Sequence, residues 1–470
     1  MFEALDQRTA LTGNQKRIVA AAVLGDMLEF FDYFLIGFVL AFVIGPWQLT
    51  FGQSAVILLS SGIGAMLGAG FWGWMADRIG RRPVFLLTIL NFSVATGILA
   101  LTPDRAWGFM SVFRFIVGFG VGGLYCVDLP LVQEFMPARM RGLVGGLVTA
   151  FIPVGVMLGS VFGAFLSPQL GWRGLFLAGL LPGLLTLLVR AWVPESPRWL
   201  MRQGRVQDAR KSLGWALETD PALLPPATPA EMIEHKPAWR ELFQHPRSLA
   251  VSWLSNLGAQ TGVYGVTLWA PTLFMLLLKI SPAEASYLMI FVTLGGLVGR
   301  ISFAFLSEAI GRRPSGVLLG FGAAVFLVLA GVYHNSFIGG ASAFWLLLIA
   351  AFFFADGGFA IIGPYAAEVW PASLRTTGMG SAYGFGGLGK IIGPLGLALV
   401  VGSSNVIKPD ASVENILPAF IYLACWFVLT GVAFLAFGIE TKGRSIEDID
   451  QTLPTTAPIP RSAVVTSAHG

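Results

Sequence analysis

Charge is scarce in this chain. Only 12% of its 470 residues are Asp, Glu, Lys or Arg, 55% are hydrophobic, and the mean hydropathy is +0.73. A soluble domain carries about a quarter charged residues, so a single core wrapped in an aqueous surface is excluded and lipid is the expected solvent. Cysteine is nearly absent: Cys126 and Cys425 both fall inside apolar runs, where they offer neither zinc spacing nor a disulfide framework and are expected to pack as small apolar residues. The four histidines, His235, His245, His334 and His469, fall in loops or tails, so no His-ligated metal pair is available. No nucleophile–base constellation and no Gly-Lys-Ser/Thr phosphate loop occurs, and Gly118–Gly122 reads as helix packing because no strand precedes it. The chain therefore does not read as an enzyme and calls for no metal, no ATP and no cofactor.

Long apolar runs are what it has instead. Runs of roughly 20 residues or more, enough to cross a ~30 Å hydrocarbon core as a helix, recur about twelve times. They lie near 17–45, 53–76, 84–102, 107–135, 143–167, 173–193, 248–278, 284–309, 315–334, 341–369, 377–402 and 415–438. Helices satisfy their own backbone in lipid, so the expected fold is an all-α membrane protein of twelve transmembrane helices. The first run is too long, and too acidic with Asp26, Glu29 and Asp32, for a cleavable signal. About 23 of the Lys and Arg residues fall on the side of the N-terminus, and only about four, Arg105, Arg173, Lys279 and Lys408, on the other. That bias predicts both termini in the cytoplasm and a multi-pass location in an inner or plasma membrane. The net charge of +4 follows from basic loops facing anionic lipid and needs no nucleic acid partner.

The runs fall into two sets. Residues 1–193 and 248–440 are read as two six-helix bundles, 194–247 as a polar cytoplasmic linker, and 441–470 as a Thr-, Pro- and Ser-rich disordered tail. Within the linker, Arg205 to Ala216 has the pattern of a short amphipathic helix at the membrane surface. A charged signature supports the duplication. Gly73 to Pro83 reads GWMADRIGRRP, and Phe305 to Pro314 reads FLSEAIGRRP; Glu134 with Arg141 and Glu368 with Arg375 recur at nearly the same interval. Duplicated membrane halves with a site at their interface are the build of alternating-access carriers.

These motifs resemble the major facilitator superfamily. The resemblance is carried by Gly73, Asp77, Arg78, Gly80, Arg81 and Arg82, by Arg114 with Gly118, Gly120 and Gly122, and by Pro194-Glu-Ser-Pro-Arg198. Glu29-Phe-Phe-Asp32 followed by Gly120 to Tyr125 is similar to the metabolite:proton symporters. Asp128 with Glu134-Phe-Met-Pro137 is similar to niacin and aromatic-acid carriers, and Gln260, Gly262, Tyr264 and Pro271 with Gly363-Pro364 to sugar porters. It implies two pseudo-symmetric halves, a proton gradient as the energy source and a small-molecule substrate carried by a monomer.

Asp26, Glu29 and Asp32 share one face of the first span. An acid at mid-bilayer costs about 2.5–3.5 kcal/mol on insertion scales and can reduce that cost by taking up a proton. Asp32, the deepest, is the first candidate for proton coupling, with Glu29 and Asp128 assisting; Asp26 is solvated or paired with a neighbouring helix. Arg114 either neutralises Asp32, contacts an anionic substrate or props the first span. Lys390, among Gly386, Gly387, Gly389 and Gly393-Pro394, is either an anion anchor or the packing partner of Asp356. Tyr33, Tyr125, Gln260, Tyr264, Trp269, Asp356 and Tyr383 complete the candidate substrate site, although any single aromatic can equally be packing. Arg300 reads as a gate or packing contact.

On the face of the N-terminus, Asp77, Arg78, Arg81, Arg82, Glu134 and Arg141 form one charged cluster, and Glu308, Arg312, Arg313, Glu368 and Arg375 a second. Each exposed pair contributes only ~0–1 kcal/mol, which suits a gate that opens reversibly. Ala309 stands where the first cluster has Arg78, so the second is expected to be weaker. The function expected is proton-coupled uptake of a small organic anion, a monocarboxylate or aromatic carboxylate. Sugar or other metabolite uptake, or drug/proton antiport, are the alternatives.

Overall fold

The computed structural model describes residues 1–137, 140–190, 193–226, 239–371, 374–401 and 416–442. Twelve long helical segments follow the expected runs. In the first half they are α1 (Gly13–Val43), α2 (Phe51–Ile79), α3 (Arg81–Leu99), α4 (Trp107–Glu134), α5 (Arg141–Ala150, Ile152–Val161 and the wide turn Phe162–Leu166) and α6 (Ser167–Arg190). In the second they are α7 (Pro246–Leu278), α8 (Pro282–Ile310), α9 (Arg312–Val332), α10 (Ala343–Gly357 and Phe359–Glu368), α11 (Arg375–Gly386 and Gly389–Val401) and α12 (Ile416–Phe437). Among the described residues nine segments are long and apolar enough to cross a membrane; α1 and α4, which carry Asp26, Glu29 and Asp32 and Arg114 and Asp128, are not among them.

Local chemistry sets the ends. Capping boxes start α1 (Thr12 with Gln15), α2 (Thr50 with Gln53) and α8 (Ser281 with Glu284), each satisfying amide donors that the first turn leaves free. Gly80 and Gly311, with φ of 108° and 103°, end α2 and α8 and let the chain re-enter a helix at once. Gly171, with φ of 65°, breaks α6 near its start, so the spanning part begins after it, as the run from 173 predicts. Between α9 and α10 a two-residue hairpin (β1 Phe337–Ile338, β2 Ala341–Ser342) turns through Gly339 and Gly340, both at positive φ.

The half-bundles pack backbone to backbone where glycine permits. On α2 and α4, Gly64 and Gly68 lie on the Phe115 and Phe119 carbonyls, and Gly118 and Gly122 on those of Ser61 and Ala65. Without a hydrophobic driving force between helices in lipid, close van der Waals approach of this kind holds them together. The same device joins the halves toward the face away from the N-terminus: a Cβ on Gly37 of α1 would stand 2.8 Å from the Leu268 carbonyl of α7. Phe51 meets Trp269 there, with ring centroids 5.6 Å apart.

Two expectations are corrected here. Val206–Leu217 is a helix, but its apolar face is buried against protein rather than lipid, with Leu213 and Leu217 packing on Met1, Phe2 and Leu5. Cys425 is exposed on α12 rather than packed inside. The Cys126 side chain, residues 227–238 of the linker and the tail from 443 lie outside the described residues.

Candidate functional site

A cavity of about 400 Å³ lies between the halves, lined by α1, α2, α4 and α5 on one side and α7, α8, α10 and α11 on the other. It reaches Gln133 near the end of α4 and Met379 near the start of α11, both close to the face of the N-terminus. With the halves packed together toward the opposite face, the cavity runs toward the N-terminal side.

Among the described residues, three charged side chains line it: Lys390, Arg300 and Asp356. Lys390 sits where α11 restarts after its break at Gly387 and Leu388, and its backbone rests on Gly62 of α2. Its Nζ lies 5.2 Å from the Tyr264 ring and 5.6 Å from that of Tyr33. Those rings meet edge to face, with centroids 5.5 Å apart. Negative ring faces stabilise an ammonium; among the described residues no carboxylate is within ion-pair distance of it.

Asp356 is not its partner. Arg300 takes that carboxylate in a two-pronged bond, Nε to Oδ2 and Nη2 to Oδ1, each 2.9 Å. The expected Lys390–Asp356 pair is therefore corrected, because Gly296 and Gly299 bring α8 and its guanidinium directly onto α10. The third prong crosses between halves: Arg300 Nη1 donates to the Thr149 carbonyl of α5 at 2.6 Å. In an unbroken helix that carbonyl would accept the amide of residue 153, but residue 153 is proline and has no donor. Arg300 donates to it from the other half, alongside the Phe151 amide. Pro153→Ala should supply the missing amide and loosen this tie, raising the labelling rate of a reporter Gln133→Cys from the N-terminal side; an unchanged rate would count against a closing role.

The acids of α1 lie behind the cavity wall rather than in it. Asp32 is buried among α1, α3 and α6, with Thr96 Oγ1 donating to both carboxylate oxygens at 2.9 Å and Gly179 alongside. Arg114 is wholly buried and donates to the carbonyls of Asp32 (3.3 Å) and Tyr33 (2.7 Å). It props α1, and the expected substrate contact is corrected. Glu29 and Asp128 are both buried, and neither lines the cavity; Glu29 feels the charges of Lys390, Asp128 and Asp32.

Of the remaining candidates, Gln260, Tyr264 and Tyr383 line the cavity, and Tyr33 borders it through Lys390. Trp269 does not: its Nε1 donates to the Pro394 carbonyl at 3.0 Å and the ring is packing. The Tyr125 side chain lies outside the described residues. Phe34, stacked on Tyr264 at 5.2 Å, is a cavity residue that sequence reasoning missed, since a phenylalanine among so many carries no signal.

On the N-terminal face the two clusters have the same wiring. Arg81 pairs with Glu134 at 2.9 Å, and Arg312 with Glu368 at 3.5 Å and Glu308 at 2.5 Å. Glu195 accepts the amides of Arg81 and Arg82, and Glu440 those of Arg312 and Arg313, so each carboxylate caps a helix N-terminus. Burial pushes the Glu195 carboxyl above its ordinary range, while the amides pull it back. Ser196 donates to Glu134, and Thr441 donates to Glu368. The Glu-Ser and Glu-Thr dipeptides after α6 and α12 were the unread signal. Arg78 lies over the Trp74 ring at 4.0 Å, Asp77 accepts from Trp199 through its carbonyl, and Arg141 and Arg375 each bond a carbonyl of the preceding helix. Every described ion pair on this face stays within one half. Glu440, Thr441 and Lys442 serve the second cluster as Glu195 and Ser196 serve the first.

Twelve long helices in two halves around a central cavity define a multi-pass membrane transporter. The family model described as sugar (and other) transporter matches residues 18–453. The niacin transporter NiaP of Acinetobacter baylyi is 31% identical over 440 residues, covering 91% of this chain and 94% of that protein. The cis,cis-muconate transport protein of the same organism is 27% identical over 388 residues, covering 82% and 87%. Among solved structures, the xylose transporter XylE from E. coli in a partially occluded inward open conformation superposes with a TM-score of 0.71 at 21% identity, over 92% of this chain and all of that one. The chain belongs to the sugar (and other) transporter family of the major facilitator superfamily; these are membrane transporters, not enzymes.

Proposed function

We propose that this transporter takes up a small organic anion, an aromatic or other monocarboxylate, together with protons, as a monomer in the inner (plasma) membrane with both termini in the cytoplasm. The observation that carries the reading is Lys390, an ammonium in the central cavity held between the Tyr33 and Tyr264 rings with no carboxylate within ion-pair distance among the described residues. A carboxylate would meet that charge while a planar body lies along Phe34 and Tyr264. The similarity to a niacin transporter and to a cis,cis-muconate transport protein supports a carboxylate cargo. A thermal-shift screen of carboxylates, sugars, amino acids and cationic drugs on the purified protein tests it: carboxylates should stabilise, and stabilisation by sugars alone would replace the reading. Sugar uptake is the second reading, favoured by Gln260, whose buried Nε2 has no partner at the cavity wall.

Protonation is assigned to Asp32, with Glu29 and Asp128 beside it. Neutralising Asp32 would weaken its hold on Thr96 and its field at Arg114, loosening α1 against α3 and α4 as the halves rock about the site. In proteoliposomes, Asp32→Asn should abolish proton-driven accumulation while leaving counterflow. Intact accumulation in the variant would remove Asp32 from the coupling role.

A further inference from the structure

The cavity holds two cations and one anion, and the arrangement of the three sets a valence. Arg300 gives Nε and Nη2 to Asp356 and Nη1 to the Thr149 carbonyl, so its charge is matched and three of its five N–H donors are held by protein. Arg300 and Asp356 are both nearly fully buried, at 6% and 5% exposure. Among the described cavity residues, Lys390 is the cation left to meet an anion.

We infer that Asp356 is the residue that restricts this site to singly charged carboxylates, by occupying the guanidinium that would otherwise hold a second carboxylate. The inference rests on the anion reading above and adds to it the charge of the substrate and the residue that selects it. A dianion of the same skeleton finds one cation at Lys390 and, across the cavity, an Asp356–Arg300 pair whose charges cancel. Its second carboxylate is therefore stripped of water with nothing to receive it, a cost that the monoanion avoids. Glu29 also feels Lys390, but it stands behind the wall and is common to both ligands, so it does not enter a comparison of the two.

The test uses matched pairs, benzoate against phthalate and sorbate against trans,trans-muconate, with affinity for the purified full-length protein measured by calorimetry at a pH where all are ionised. Wild type should favour the monoanion of each pair by about tenfold or more, the worth of one charge-assisted contact. Asp356→Asn keeps the shape of the side chain but removes its charge, and should raise the dianion-to-monoanion affinity ratio about tenfold as Arg300 becomes available. Removing that cation as well, in the double variant R300Q/D356N, should return the ratio toward the wild-type value. Equal wild-type affinity within each pair, a measurement that needs no variant to fold, overturns the inference, as does a ratio unmoved by D356N. If no carboxylate of either kind binds the wild type, the anion reading itself falls, and the valence rule with it.

Discussion

Lys390→Ala is expected to lose carboxylate binding by about ten- to a hundredfold, the ~1.5–3 kcal/mol of a hydrogen bond to a charged group. The protein should keep its fold. Lys390 makes no ion pair among the described residues, and its stem contacts Gly62 through the backbone and Cβ, both of which alanine retains. The loss should therefore appear in calorimetric affinity while the unliganded melting temperature stays put. Lys390→Arg should retain part of the binding, because a guanidinium also rests on tyrosine faces and accepts a carboxylate in its fork. Unchanged affinity in the alanine variant would take Lys390 out of the site and leave the sugar reading in its place.

Gly118→Val is expected to have the largest effect on stability. The Cβ of any side chain there would collide with the Ser61 carbonyl of α2, and backbone cannot swing aside as a flexible side chain does. The neighbouring contacts, Gly122 on Ala65, Gly64 on Phe115 and Gly68 on Phe119, allow no compensating slide, because each fixes the same helix separation. Overpacking ordinarily costs ~1–3 kcal/mol, and a seam of four such contacts resists relaxation. Loss of the monodisperse peak in detergent, or a marked fall in melting temperature, is the expected readout. By contrast Gly108→Ala, which meets nothing within 4 Å, should be silent on both measures.

The twelve spans were legible because length and apolarity alone identify a helix in lipid, and their ends were legible wherever glycine, proline or a capping residue stood. The facing of those spans was not. A helix such as α7 is apolar on nearly every side, so nothing in the sequence separates Tyr264, on the cavity, from Trp269, in the packing five residues later. The same limit governs Asp32: its depth could be read, but not that it faces Thr96 and α6 instead of the substrate path. Pairings across spans were the least accessible. Arg300 and Asp356 lie on different helices, and the third contact depends on Pro153 in the other half, a residue whose relevance is only that it lacks a proton to give.

Each half carries its own fastener. Glu195 and Ser196 lie immediately after α6, and Glu440 and Thr441 immediately after α12, and both pairs reach back to helix ends within their own bundle. The carboxylate and hydroxyl that close the first cluster are consequently in place once synthesis has passed residue 196, while the second bundle is still to emerge from the ribosome. Assembly in the bilayer can thus proceed as two successive closures, and the late-formed interface is left as the pliable one.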